Sequence, residues 1–189
     1  MPLCPILLWL SCAAAEGATV AVYEIGAVAL ALSYGYQPAL AILFTVPLCL
    51  ASVTGGLWIS VRNRASSRRT VVVQLSVLTL GSALAAFGPS IATTILGLVL
   101  IGLVLAPLGT FFSLALDTLA PLHRRPEVFA LLRSANAVGV IFASALLTMA
   151  SLSATLAIVT GVMLVVTIMA ALAPVAGDGD VAKRPLDVA

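Results

Sequence analysis

Two carboxyl groups stand inside an apolar stretch of this chain. Glu16 and Glu24 both lie in the run from Leu3 to Leu32. If that run is helical, successive residues turn by about 100°, so Tyr23 falls about 20° from Glu16, Thr19 about 60° away and Glu24 about 80° away. These side chains then share one broad polar face. A charge at the centre of a membrane span costs roughly 2.5–3.5 kcal/mol on insertion scales, so such a face avoids lipid and turns to a water-filled cavity or another protein surface. A carboxyl in a low-dielectric cavity has its charged form disfavoured and can exchange protons near neutral pH. The chemistry this points to is a proton or cation site coupled to movement of a substrate. The plainer reading is that Glu16 marks a helix break and Glu24 lies in the outer interface.

Further polar groups occur in other apolar stretches. Thr110 and Ser113 follow Pro107 and Gly109. Proline frees a backbone carbonyl and glycine leaves space, so this helix either lines a cavity and bends or is simply kinked against its neighbours. Gly97, Gly102 and Gly109 suit close helix approach, as do Ala135, Gly139 and Ala143 at intervals of four. Asn136 beside that stripe is either a hydrogen bond between helices or a ligand contact. Gln74 takes the plainer of these readings, a hydrogen bond between helices. Asp117 lies near Arg124 and Arg125 and is expected to pair with them. His123 stands alone in that charged segment. There is no nucleophile–base pair, phosphate-binding glycine loop or metal-ligand cluster, so neither an enzyme nor a bound cofactor or metal is expected. Nor is there a stacking surface or soluble basic domain for nucleic acid.

The elements that would position these groups follow from composition. Of 189 residues, 62% are hydrophobic and 8% charged, whereas soluble domains carry about 25% charged residues. Too few polar groups remain to cover a surface in water. The chain is expected to be an all-α, multi-pass membrane protein solvated by the lipid bilayer. Spans of about 20 apolar residues are expected at 3–32 (with tilt or with a break near Glu16-Gly17), 38–61, 70–87, 91–116, 127–149 and 154–173. Residues 1–176 then form one six-helix unit, and 177–189 a disordered polar tail. Cys4, Cys12 and Cys49 fall in apolar runs and read as small buried hydrophobes. Pro2–Ala15 lacks the basic flank of a signal peptide and reads as a retained helix.

Orientation comes from Val61–Thr70, which holds Arg62, Arg64, Arg68 and Arg69 and no acid. Short loops rich in Arg and Lys stay cytoplasmic. Arg124 and Arg125 fall two crossings later, and Lys183 and Arg184 two after that. Arg133 lies within two turns of the second charged loop and can snorkel back to it. All nine basic residues thus gather on one side, while the turns at 33–37, 88–90 and 151–153 are uncharged. An even number of crossings with both termini cytoplasmic follows, in the plasma membrane.

The segment Gly102-Leu103-Val104-Leu105-Ala106-Pro107-Leu108, followed by Leu114–Pro121, Arg124-Arg125 and Phe129–Gly139, resembles transmembrane helices ten and eleven of the major facilitator superfamily. Gly55-Gly56-Leu57-Trp58 leading into Arg62, Arg68 and Arg69 is similar to that family's cytoplasmic loop between helices eight and nine, although it lacks the acidic residue of the gating motif. Ser60 and Asn63 stand near that position. From about Pro5 to Ala173 the chain resembles the C-terminal six-helix half of such a transporter, and in particular its efflux members. The resemblance implies two inverted three-helix repeats, a cavity lined by the first and fourth helices, and placement of Glu16, Tyr23, Glu24 and Thr110 at it. It also implies proton-coupled efflux of a small amphipathic or drug-like solute. One half supplies one wall of such a cavity, so the partner is a separate N-terminal half or a second copy. The alternative is a truncated or structural membrane subunit that does not transport. Reporters fused at residues 64 and 124 are expected to report the same side of the membrane, and one fused at 89 the opposite side.

Overall fold

The computed structural model describes residues 3–62, 68–119 and 125–172. Among them the regular elements are all helical. They are α1 (Leu3–Ile25), α2 (Ala27–Ser33), α3 (Ile42–Arg62), α4 (Arg68–Phe87), α5 (Ile91–Leu119), α6 (Arg125–Met149) and α7 (Leu152–Leu172), with a 3-10 turn at Pro38–Ala41 leading into α3. Among the described residues, six segments are long and apolar enough to cross a membrane: Ile6–Ile25, Pro38–Val61, Arg69–Phe87, Ile91–Asp117, Arg125–Met149 and Leu152–Leu172. The protein is an all-α, multi-pass membrane protein. In lipid, a helix satisfies its backbone hydrogen bonds internally, which is why a chain this apolar takes no other form here.

The first span is not broken at Glu16-Gly17. Helix α1 runs through both residues, and the irregularity falls at Gly26 instead. Gly26 keeps helical angles; its N–H donates to the Val22 carbonyl at 2.9 Å, and its own carbonyl accepts from Leu30 N–H at 2.8 Å. A side chain at this position would run into the Val22 carbonyl. The interruption between α1 and α2 therefore falls where the missing Cβ permits it, rather than where the sequence turns polar. The chain then reverses at Gly35, whose φ of +76° lies in the left-handed region that glycine tolerates.

The ends of the spans depart from the sequence expectation in more than one place: α7 opens at Leu152, within the turn expected at 151–153, and the second charged connection is shorter than expected. Asp117 lies within the last turn of α5 and Arg125 opens α6, so the connecting segment is shorter than 117–126. The expectations for Asn63, Arg64, His123, Arg124, Lys183, Arg184 and the 177–189 tail fall outside the described residues, as do those for the side chains of Cys4, Arg62 and Arg68. Cys12 is buried as expected, whereas Cys49 is exposed on α3.

Packing follows a repeating pattern. Helix α1 packs chiefly against α6 and α7, α5 packs chiefly against α3 and α4, and α4 meets α7. Exchanging the first three spans for the last three leaves this pattern unchanged. Three crossings reverse the chain's direction, so the two halves of the pattern are inverted relative to one another. Small residues make the close contacts. Gly139 on α6 lies against the backbone of Ala14 and Ala18 on α1. Gly102 lies against Leu48, Ala51 and Ser52 on α3, and Gly55 against the Leu103 backbone. Gly81 and Gly97 face each other across α4 and α5. Lipid removes the hydrophobic drive for helices to associate, so contact of this kind carries the packing. Rings add to it: Trp9 meets Phe111 edge-on at 5.0 Å and Phe112 at 6.1 Å, tying α1 to α5.

Two glycines separate these roles. Gly139→Val drives a branched side chain into the α1 backbone and is expected to cost about 1–3 kcal/mol, the usual range for overpacking. Gly161 has open space around it, so Gly161→Ala is expected to change stability by less than about 0.5 kcal/mol. Thermal unfolding of the two variants in one detergent, followed by helical circular dichroism, tests the difference.

Candidate functional site

Helices α1, α5 and α6 enclose a cleft of about 640 Å³, a volume within the range of small-molecule sites. Its polar lining is Glu16 and Glu24 from α1, Ser113 from α5, and Arg133 and Asn136 from α6. Phe112 and Phe129 supply aromatic walls. The cleft exists because of local chemistry in each helix. On α1, Gly17 has no side chain, and Asn136 of α6 nests against it; a Cβ there would overlap the Asn136 amide oxygen. On α5, Pro107 cannot donate a backbone hydrogen bond, and Gly109 two residues later meets nothing within 4 Å. Space therefore opens beside α5 where the sequence allowed either a cavity or close packing, and Gly109 lines it instead of letting a neighbour approach.

Glu16 is half-buried and Glu24 exposed within the cleft. Neither makes a hydrogen bond or ion pair among the described residues. Asn136 is exposed and lines the cleft; it also makes no hydrogen bond among those residues, so here it does not act as a hydrogen-bonded tie between helices. Ser113 donates its hydroxyl to the Gly109 carbonyl at 2.9 Å. Thr110 does not line the cleft. It is exposed, and its hydroxyl donates to the Ala106 carbonyl one turn back at 2.9 Å. In α4, the Gln74 amide oxygen is buried and has no partner among the described residues, so it gives no support to a tie between helices.

Tyr23 also stands apart from Glu16, despite the shared face that helical periodicity gives them. Its hydroxyl donates to the Ser82 carbonyl at 2.9 Å and lies 3.3 Å from Ser82 Oγ. Ser82 Oγ is 2.8 Å from Thr160 Oγ1, and Thr79 Oγ1 is 2.9 Å from Thr167 Oγ1. These buried hydroxyls form a ladder joining α1, α4 and α7. Packed helices cross at an angle, so the neighbour seen by one face of α1 changes over the two turns between Glu16 and Tyr23. The long phenol then reaches the polar partner that a buried hydroxyl requires.

Arg133 belongs to the cleft and was not among the residues singled out for it. Snorkelling to the loop was the expectation, yet the side chain lines the cavity one turn before Asn136. The signal in the sequence was the spacing of three between Arg133 and Asn136, which sets both on one side of a helix. At the end of α5 and the start of α6, Arg125 Nε and Asp117 Oδ1 lie 3.1 Å apart. The expected pairing of Asp117 is present with Arg125. Both side chains are partly exposed, and pairs of this kind contribute about 0–1 kcal/mol.

No known family profile matches the chain. Among curated proteins, the multidrug efflux pump Tap of Mycolicibacterium fortuitum is 29% identical to it over 144 residues. That match covers 73% of this chain and 35% of Tap, so the chain spans about a third of the length of the curated relative it matches.

The hydroxyl ladder gives a measurable expectation. Hydrogen bonds between membrane helices contribute about 0.6 kcal/mol on average and about 1.7 at most. Tyr23→Phe removes one and keeps the ring, so it is expected to lower stability by about that much. Comparing unfolding midpoints of the purified variant and the parent in mixed micelles tests this.

Proposed function

We propose that the chain forms one six-helix half of a secondary transporter of the major facilitator type. In this reading residues 1–176 are the membrane unit and 177–189 a cytoplasmic tail. It sits in the plasma membrane with both termini cytoplasmic. The cleft between α1, α5 and α6 is one wall of a substrate pathway. A second six-helix unit, either a separate N-terminal half or another copy of this chain, supplies the opposite wall. The solute is small and amphipathic, and its export is coupled to protons through Glu16. The arginine-rich segment at Arg62, Arg64, Arg68 and Arg69, with Asp117, Arg124 and Arg125, forms the cytoplasmic rim.

One observation carries this reading. A cavity within a bundle of apolar helices gathers two carboxyl groups, an arginine and an amide that make no ion pair or hydrogen bond among the described residues. Polar groups at membrane depth are costly and mark substrate or ion routes. Two further points support it: the packing pattern repeats under exchange of the two sets of three spans, a form common to transporters with inverted repeats, and part of the chain is similar to an efflux pump.

A second reading rests on the length of the match. The chain spans about a third of its relative, and a half that never meets its complement would insert without moving solute.

Substituting Glu16→Gln keeps the shape of the side chain and removes its exchangeable charge. Dye efflux driven by an imposed pH gradient, measured in vesicles from cells expressing the chain, is expected to fall at least about tenfold, while the amount of inserted protein stays the same. Coupling that survives in the variant rules out Glu16 as the proton carrier. Absence of flux from the parent itself, with normal insertion, supports the non-transporting reading.

A further inference from the structure

Among the described residues that line the cleft, Arg133 is the one cationic group and Glu16 the half-buried acid. Asn136 nests on Gly17, Gly139 lies against the Ala14 carbonyl and the Ala18 nitrogen, and Leu147 touches Gly26. Rising numbers on α6 thus meet rising numbers on α1, and the two helices run parallel. Arg133 then stands about one turn before the level of Glu16, roughly 5 Å along the axis. Ala13, three residues before Glu16 on the same side of α1, also lines the cleft. Its methyl group leaves the space between the two charged side chains open. An arginine stem spans about 6 Å at standard bond lengths, so its guanidinium can cross that space. In the structure neither group makes an ion pair or hydrogen bond among the described residues.

The other groups around Glu16 offer no positive charge. On α1, Cys12 lies one turn back and Glu24 two turns on. The α5 side of the cleft is Gly109, Phe112 and Ser113, all uncharged. Helix α7, which also packs on α1, carries no ionisable residue over Leu152–Leu172. On α6, Glu127 lies outside the cleft lining, and Arg125 is engaged with Asp117. A carboxylate left here without a counter-charge is costly, and that cost opposes loss of its proton. We propose that Arg133 is the positioning residue for the proton carrier: its guanidinium swings onto the Glu16 carboxylate when the proton leaves and lets go when a proton returns. The proton passes between the Glu16 carboxyl and water in the cleft, while Arg133 keeps its own proton throughout. This rests on the reading of Glu16 as the carrier. The exposure of Arg133 suits the task, because a pair partly open to water forms and breaks at little cost. A guanidinium also offers a carboxylate paired donors.

The test follows labelling of Glu16 by dicyclohexylcarbodiimide, which reacts with protonated carboxyl groups, as pH is varied. It uses the purified full-length chain in lipid nanodiscs, with peptide mass spectrometry to locate the adduct and Glu16→Gln as the blank. Labelling of the parent is expected to fall as pH rises. Arg133→Gln is expected to move the midpoint up by about half to one pH unit. Arg133→Glu is expected to move it further, and Arg133→Lys to lie between the parent and Arg133→Gln. A loss of packing would lower the yield without ordering the midpoints by the charge at residue 133. Dye efflux at neutral pH is expected to fall about three- to tenfold in Arg133→Gln and to recover when the pH on both sides is raised together. Midpoints that coincide in the parent, Arg133→Gln and Arg133→Glu overturn the proposal; if Glu16→Gln then still abolishes efflux, Glu16 stands as the carrier without Arg133. Ordered midpoints in a chain that moves no dye support the pairing and remove the transport reading. A parent whose Glu16 takes no label anywhere between about pH 5 and 9 overturns the proposal.

Discussion

Close contact between the backbones of α1 and α6 is the constraint from which the site follows. Gly139 admits the Ala14 and Ala18 backbone, and Gly17 admits Asn136. Without hydrophobic drive in lipid, helices hold together through contacts of this closeness. They also fix how α1 is rotated and how far it slides along α6. Those two settings decide what Glu16 and Glu24 face. A bulkier residue on either side would separate the helices, and the cleft would lose its shape along with its charges.

Helix α1 then divides its surface between two tasks. Toward α5 and α6 it presents carboxyl groups that make no hydrogen bond or ion pair among the described residues to an open volume. Toward α4 and α7 it presents Tyr23 to a ladder of buried hydroxyls that is fully engaged. The engaged side holds α1 in place while the other side stays available. Helix α5 is built comparably. Gly97 and Gly102 lock it against α4 and α3, while Gly109 leaves open space beside the cleft. Rigid packing and an accessible site thus occupy different parts of the same helix.

The exchange symmetry of the packing bears on how such a unit works. Helices α1 and α5 occupy equivalent positions, each packed on two spans of one triplet or the other, and both line the cleft. In the transport reading proposed above, a second bundle would complete the cavity, and movement of the two bundles against each other would expose a midplane site to alternate sides. The pair of Arg125 and Asp117 is partly exposed, so breaking it costs little.

Much of this was legible without coordinates. The number of spans and their approximate limits follow from hydropathy, because lipid imposes one form on any long apolar stretch. The small-residue stripe of α6 was visible as Ala135, Gly139 and Ala143. Glu16, Glu24 and Asn136 were readable as groups whose polarity is costly in a membrane. What periodicity could not supply was the neighbour that each face meets. Tyr23 and Glu16 share a helical face, yet one joins the hydroxyl ladder and the other the cleft. Arg133 looked able to reach the loop, yet it lines the cavity. The interruption in the first span came at Gly26 and not beside Glu16. Each of these depends on the crossing of helices far apart in sequence, and a pattern read along one helix carries no record of that crossing.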